Sequence, residues 1–277
     1  MKSRVLKRVP LNIAALIVFV VMIFPVYWMV LTAFRPAKDI GADTPKFLPS
    51  SATFDNFSNA VGIEHFWDFW RNSLMVAVGG VGLALLVACF SAFAVARMQW
   101  KGRAPFILMV FIAQMAPWEA LMIPMFLIGR DQDLLNSLPF LTAIYFVMTL
   151  PFAIVTLRGF LANIPIELEE AARVDGCTRF GAFRRIVFPL LAPGLLSTSL
   201  FGFITAWNEF AFANTLLTTD PAQDTLPAWL NEFSNGRTVD WGATMAAATL
   251  FMLPVLLIFL ILQGRVTGGL TSGAVKG

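Results

Sequence analysis

The chain holds little from which a catalyst or a metal centre is made. Its 277 residues include one histidine, His65, and two cysteines, Cys89 and Cys177. A lone histidine in a polar stretch offers no partner for a Ser-His-Asp or Cys-His arrangement. No cluster of His, Cys, Asp or Glu has metal-ligand spacing, so no metal is expected. Cys89 lies in an apolar run and Cys177 in a polar segment, so no disulfide is expected between them. No G-x-x-x-x-G-K-[ST] stretch occurs, which excludes an ATP phosphate cradle encoded here. Charged residues make up only 13%, against about 25% in soluble domains. The polar stretches are too short to fold as a catalytic or solute-binding domain.

What the chain has in excess is apolar sequence. Hydrophobic residues reach 58% and mean hydropathy is +0.74. A membrane-spanning helix needs about 20 mostly apolar residues. Six such runs occur, at 11–33, 72–96, 104–128, 138–158, 190–213 and 242–263. The predicted fold is all-α: a polytopic membrane protein with six transmembrane helices in a lipid bilayer. The first run is too long for the apolar core of a signal peptide and is read as a retained span. Phe24-Pro25 and Tyr27-Trp28 suit a kinked helix with interfacial aromatics.

Orientation follows from lysine and arginine. With the N-terminus inside, the tail 1–10, the 97–103 turn, the segment 159–189 with Arg158 just ahead of it, and the tail 264–277 carry 14 basic residues. The outer segments, chiefly 34–71 and 214–241, carry 6 and collect acids such as Asp39, Asp43, Asp68, Asp220 and Asp240. Both termini are therefore expected in the cytoplasm. The net charge of +3 and pI near 9.1 come from this asymmetry, so nucleic acid is not an expected partner.

Several local patterns stand out. Phe54, Phe57, Phe66, Trp67, Phe69 and Trp70 mix with charges in the first outer segment, as in a helix on the membrane surface or a plain connector with an aromatic belt. Ala77, Gly80, Ala84, Ala88, Ala92 and Ala96 share one face of the second run and predict close helix packing inside a bundle. Trp118 and Glu119 in the third run, and Trp207, Asn208 and Glu209 in the fifth, place polar and aromatic groups in the outer half of the membrane. Ionisable residues in spans mark a pathway by default, although interfacial water also accommodates them. Aromatic faces suit the C–H side of a sugar, and amides and carboxylates suit its hydroxyls.

The polar segment 159–189 reads as two short helices at an angle. Asn163 is placed to cap the first, with Pro165 in its opening turn. Glu169 and Arg173 form an i,i+4 pair in the favourable order. Gly176 ends the helix at positive φ, Thr178 caps the second, and Pro189 stops it before the fifth run. Local physics allows either a docking helix for another protein or an amphipathic connector on the membrane.

The run Glu170-Ala171-Ala172-Arg173-Val174-Asp175-Gly176, with Phe183, Ile186 and Pro189 after it, resembles the cytoplasmic loop of ABC importer permeases. Arg35-Pro36, Asn72-Ser73, Ala94-Val95-Ala96-Arg97, Leu157-Arg158-Gly159-Phe160, Trp207-Asn208-Glu209-Phe210, Asp240-Trp241-Gly242 and the Gly269–Gly277 end extend the likeness over nearly the whole chain. They resemble the carbohydrate (maltose-type) family, and its shorter permease partner in particular. Cys177 stands where alanine is common. Pro117-Trp118-Glu119-Ala120 carries a fainter likeness to an amino-sugar branch.

The resemblance implies a type I ABC importer permease in a bacterial or archaeal inner membrane. It implies a heteromer with a second permease, two ATPase subunits and an extracytoplasmic solute-binding protein. ATP and Mg²⁺ would be bound by the ATPase subunits, and this chain would hold no cofactor. Glu170, Ala171, Ala172, Asp175, Gly176, Phe183 and Pro189 would form the joint to the ATPase. Trp118, Glu119, Trp207, Asn208 and Glu209 are the candidates for the solute path. The rival classes are a self-sufficient secondary transporter or channel, which needs mid-membrane ionisable groups and inverted repeats, and a membrane scaffold.

Overall fold

The structure, a computed structural model, describes residues 2–42, 44, 46–48, 50–232 and 240–274, with side chains from 10 to 230 and from 240 to 264. Asp43, Arg237 and Lys276 of the charge pattern, and the last three residues of the terminal motif, lie outside the described residues. So do the side chains of Lys2, Arg4, Lys7, Arg8, Glu232 and Arg265.

Every regular element among the described residues is helical. Five helices are long and apolar enough to cross a membrane, or six if one sharply bent pair counts as a single span. The chain divides into two compact units.

The first unit comprises 1–66 and 229–253. Helix α1, Lys2–Ala33, continues through Pro10 and Pro25. Its apolar stretch Pro10–Ala33 is exposed through Tyr27 and becomes buried only at its end, at Thr32 and Ala33. A segment with two short helices follows, α2, Ala37–Ile40, and α3, Asp55–Val61. Asn56 closes this segment on the end of α1: its Nδ2 donates to the carbonyls of Ala33, 2.9 Å, and Arg35, 2.7 Å. Gly242 lies against Asn56 so closely that a Cβ would come within 2.3 Å of its Oδ1. Asp39 is buried and accepts from Lys46 Nζ at 2.6 Å and Ser50 N at 2.8 Å. Those bonds hold its carboxyl well below the usual carboxylate range.

The second unit comprises 67–228 and 254–277. Helix α4 runs Phe66–Arg97. Residues Phe66 to Arg71 are thus the opening turns of the second span, not a separate surface helix. At 1.5 Å per residue its 32 residues reach about 48 Å, beyond the roughly 30 Å hydrocarbon core. Its small-residue ridge is buried from Ala77 to Ala92. At Gly80 a Cβ would lie 2.8 Å from Cβ of Tyr145, so glycine is what lets the two helices touch.

The third apolar run is not one helix. It forms α5, Arg103–Gln114, a 3-10 turn Trp118–Leu121 and α6, Met122–Asp131, with an 88° bend at the break. Pro117 sits in extended conformation at that break, where its missing N–H and restricted φ favour termination. Helix α7, Leu138–Ala162, opens on a Ser137 cap. Below it lie α8, Ile166–Val174, and α9, Arg179–Ala182. A π-helical turn, Phe183–Val187, leads into α10, Phe188–Trp207, and α11, Ala211–Leu216, follows. The helix does not stop at Pro189. Phe188 N–H reaches back five residues to Phe183, and this wider turn absorbs the proline at the second position of α10. Helices α12, Leu226–Glu232, and α13, Trp241–Ala274, complete the described elements.

The core of this unit packs directly against the 159–189 segment and includes its Ile164, Phe183 and Val187. Ala88, Ala92, Val110, Leu157, Phe183 and Leu191 belong to one buried cluster. The segment is therefore anchored to the helices above it. The N-terminal end of α4 is anchored too. Asn72 Nδ2 donates to the carbonyls of Ala222, 2.8 Å, and Asp224, 3.0 Å, and Ser73 Oγ accepts from Leu226 N at 2.8 Å.

Candidate functional site: the polar loop and the outer break

Asn163 caps the end of α7 rather than the start of α8: its Nδ2 donates to the Gly159 carbonyl at 3.2 Å. Helix α8 begins behind Pro165 without a side-chain cap. It ends in a tight turn where Cys177 N–H donates to Ala172 O, 2.9 Å, and Gly176 N–H to Arg173 O, 3.1 Å. Gly176 adopts φ +89°, the left-handed conformation that closes such turns. Thr178 Oγ1 accepts from Gly181 N at 3.1 Å and starts α9.

The predicted joint residues separate into two sets. Glu170, Ala171, Asp175, Gly176 and Pro189 are exposed. Ala172 and Phe183 are buried and belong to the packing beneath the loop. The ring of Phe183 lies 4.8 Å from that of Phe93 and 5.7 Å from that of Phe90 on α4. The apolar groups that do face outward are Ile166, Leu168, Val174 and Phe180, with Val174 87% and Phe180 62% exposed. On α8, Ile166 and Val174 lie four residues to either side of Glu170 and share its face. Cys177 is half-buried, and Arg185 Nη1 lies 3.8 Å from its Sγ.

Glu169 does not pair with Arg173. Its Oε1 accepts from Nε of Arg97 at 2.5 Å, and Nη2 of the same guanidinium donates to the Ile164 carbonyl at 2.5 Å. Both side chains are only 11% exposed. Glu169 is buried against α4, so an unpaired carboxylate there would be costly, and Arg97 supplies its partner. Arg97, Glu169, Glu170, Arg173 and Arg179 line one small cleft.

Of the solute-path candidates, Trp207, Asn208 and Glu209 lie at the step from α10 to α11. Asn208 is exposed and ends α10, with Nδ2 donating to the Ile204 carbonyl at 2.7 Å. Glu209 is half-buried and caps α11. Its Oε1 accepts from Phe212 N at 2.8 Å, and its Oε2 from Ala213 N at 3.2 Å and from Tyr145 Oη at 2.9 Å. Tyr145, on α7, is a partner that sequence reading missed. The available signal was a phenol placed in an otherwise apolar run. Trp207 is 1% exposed, between Trp70, 5.9 Å away, and Phe203, 5.3 Å away. Its faces are occupied by packing and are not open to a sugar. Trp118 lines an apolar cavity with Leu121, Met125, Ile144, Val147 and Phe212. Glu119 is exposed on the 3-10 turn, and its side chain makes no hydrogen bond or ion pair among the described residues.

Comparison with known proteins matches this architecture. Residues 80–271 fit the family model described as a binding-protein-dependent transport system inner membrane component. A diacetylchitobiose uptake system permease protein of Streptomyces coelicolor is 50% identical over 277 residues, covering 100% of both chains. A trehalose/maltose transport system permease protein of Thermococcus litoralis is 32% identical, again covering 100% of both. In fold, the chain superposes with a TM-score of 0.82 on a chain from the crystal structure of a bacterial ABC transporter involved in the import of the acidic polysaccharide alginate. That likeness covers 95% of this chain and 98% of the other, at 21% identity. With the family model spanning well over half of its length and full-length relatives at this identity, the chain belongs to the family of binding-protein-dependent inner-membrane transport components, as a permease of carbohydrate ABC importers.

Proposed function

We propose that this permease moves its sugar by coupling to separate ATPase subunits through the 159–189 loop. The observation that carries the reading is the loop itself: a helix ended by a positive-φ glycine, presenting Glu170 on one face between exposed Ile166 and Val174, and anchored by buried Phe183. Exposed apolar groups around a carboxylate suit a protein groove that contains a basic side chain. Two ATPase subunits, binding ATP and Mg²⁺, would close and push on the loop. A second permease and an extracytoplasmic binding protein complete the assembly. A self-sufficient transporter would have no use for such a surface. In the assembled transporter, Glu170→Lys is expected to remove the ATPase subunits from the purified permease and to abolish uptake. Retention of both at unmodified levels would sink the coupling role.

The solute proposed is an N-acetylated amino-sugar oligosaccharide, supported by the 50% identity to a diacetylchitobiose permease against 32% for a trehalose/maltose one. Asn208, Glu119 and Trp118 are its proposed contacts on this chain, and Glu209 and Trp207 hold that region from behind. The 14 to 6 split of basic residues supports cytoplasmic termini and an inward-facing loop. Single cysteines at Ser51 and Asn163, in a background lacking Cys89 and Cys177, should react with a membrane-impermeant reagent from opposite sides. Reaction of both from outside would reverse the topology.

A further inference from the structure

We propose that Arg97 is a positioning residue that ties the coupling loop to helix α4, so that a displacement of α8 becomes a displacement of the second span. This rests on the ATPase-coupling reading of the loop and extends it to a specific pair, Arg97 and Glu169.

The geometry points to it in three ways. Arg97 is the last residue of α4, and Glu169 lies on α8, 72 positions later. No short stretch of chain joins these elements, so their relative position depends on non-covalent contacts. One guanidinium makes both polar contacts, to Glu169 Oε1 and to the Ile164 carbonyl just ahead of α8, each at 2.5 Å. Two donors from one planar fork fix direction as well as distance. Apolar contacts also join α4 to this loop, among them the rings of Phe90 and Phe93 against Phe183. Apolar contacts are non-directional and tolerate sliding, whereas a buried forked ion pair sets the register.

The residue beside Glu169 is turned about 100° around the helix axis. Glu170 is exposed and available to a partner, while Glu169 is buried against Arg97. Adjacent residues of one helix thus address the ATPase side and the membrane side. Force applied at the first is delivered one residue away to the second. Helix α4 can transmit it, because its ridge is locked on α7 at Gly80 and Tyr145 and its N-terminal end is held by Asn72 and Ser73. Arg173 and Arg179 line the same cleft. Neutralising Glu169 would leave three arginines facing one another there, with Glu170 the remaining carboxylate.

The test uses the complete transporter with its ATPase subunits, reconstituted in lipid, and a binding protein loaded with diacetylchitobiose as probe. Arg97→Ala and Glu169→Gln should keep the ATPase subunits and basal ATP hydrolysis, while stimulation by the loaded binding protein falls at least tenfold. Arg97→Lys, which retains the charge but not the fork, should fall severalfold. The exchanged pair Arg97→Glu with Glu169→Arg should recover at least a third of the stimulation. Stimulation within twofold of normal in both single variants overturns the proposal. Loss of the ATPase subunits in the single variants, with no recovery in the exchanged pair, also overturns it, since the pair would then only stabilise the loop. Glu170→Lys separates the two levels. If it loses the ATPase while the Arg97 and Glu169 variants behave normally, only the positioning role fails. If Glu170→Lys keeps the ATPase, the coupling reading fails and takes this proposal with it.

Discussion

Gly176→Val is expected to abolish sugar uptake and to release the ATPase subunits while the membrane helices still assemble. The backbone at Gly176 has φ +89°, and a Cβ built there meets nothing within 4 Å. Steric pressure from neighbours is therefore not the cause. The penalty lies in the backbone alone, where a β-branched residue at positive φ is a genuine outlier and such strain costs on the order of 1–3 kcal/mol. The cheapest relief is to open the turn that Cys177 N–H and Gly176 N–H close on Ala172 and Arg173. Opening it swings α8 away from α9 and disperses the exposed patch. Gly176→Asn, which tolerates the left-handed region better, should retain part of the activity. Purified yield and helical content should match the unmodified protein in both. Normal uptake into proteoliposomes by the valine variant would show that this turn does not shape the joint.

The second large effect is expected at Glu209. Its carboxylate accepts from Phe212 N, Ala213 N and Tyr145 Oη, so it organises the step from α10 to α11. Glu209→Ala strands these donors, each left unsatisfied at about 1–3 kcal/mol. The variant should lower the thermal midpoint of the purified permease by several degrees and reduce uptake at least tenfold. Glu209→Gln keeps one acceptor but sets an amide N–H₂ against donors, so an intermediate loss of stability is expected. Tyr145→Phe removes one donor and leaves the cap, and should be the mildest of the three. A solute ligand behaves otherwise: Glu209→Gln would raise the KM for uptake with an unchanged thermal midpoint. That outcome would reject the capping role and return Glu209 to the solute path.

Much of this was legible in the residues, and the misses have a common cause. Gly176 was readable because a helix end needing positive φ is a local event, settled within about five residues. The small-residue ridge of α4 was readable because helical spacing alone puts Ala77, Gly80, Ala84 and Ala88 on one face. Pro189 was misread as a stop because a π-turn, which accommodates it, has no sequence signature comparable to a proline's. The break at Pro117 was visible as a proline but not as an 88° bend, since prolines in membrane helices are often absorbed by neighbouring helices. Trp207 was assigned to the sugar because an aromatic beside an amide looks like a stacking surface. Trp70, 137 positions earlier, takes that surface instead.

Composition and one contiguous motif were enough to identify a bundle of membrane helices and its family. Runs of about 20 apolar residues have no other stable environment, and the Glu170–Gly176 motif is contiguous. The tertiary structure decided which polar groups are paired and which are offered outward. Glu169 and Glu170 are identical side chains one residue apart. One is buried on Arg97 and the other exposed because successive helix positions are rotated by about 100°. Which of those two directions faces protein is set by where α4 ends. That depends on packing between segments far apart in the chain, a quantity that no local pattern of residues contains.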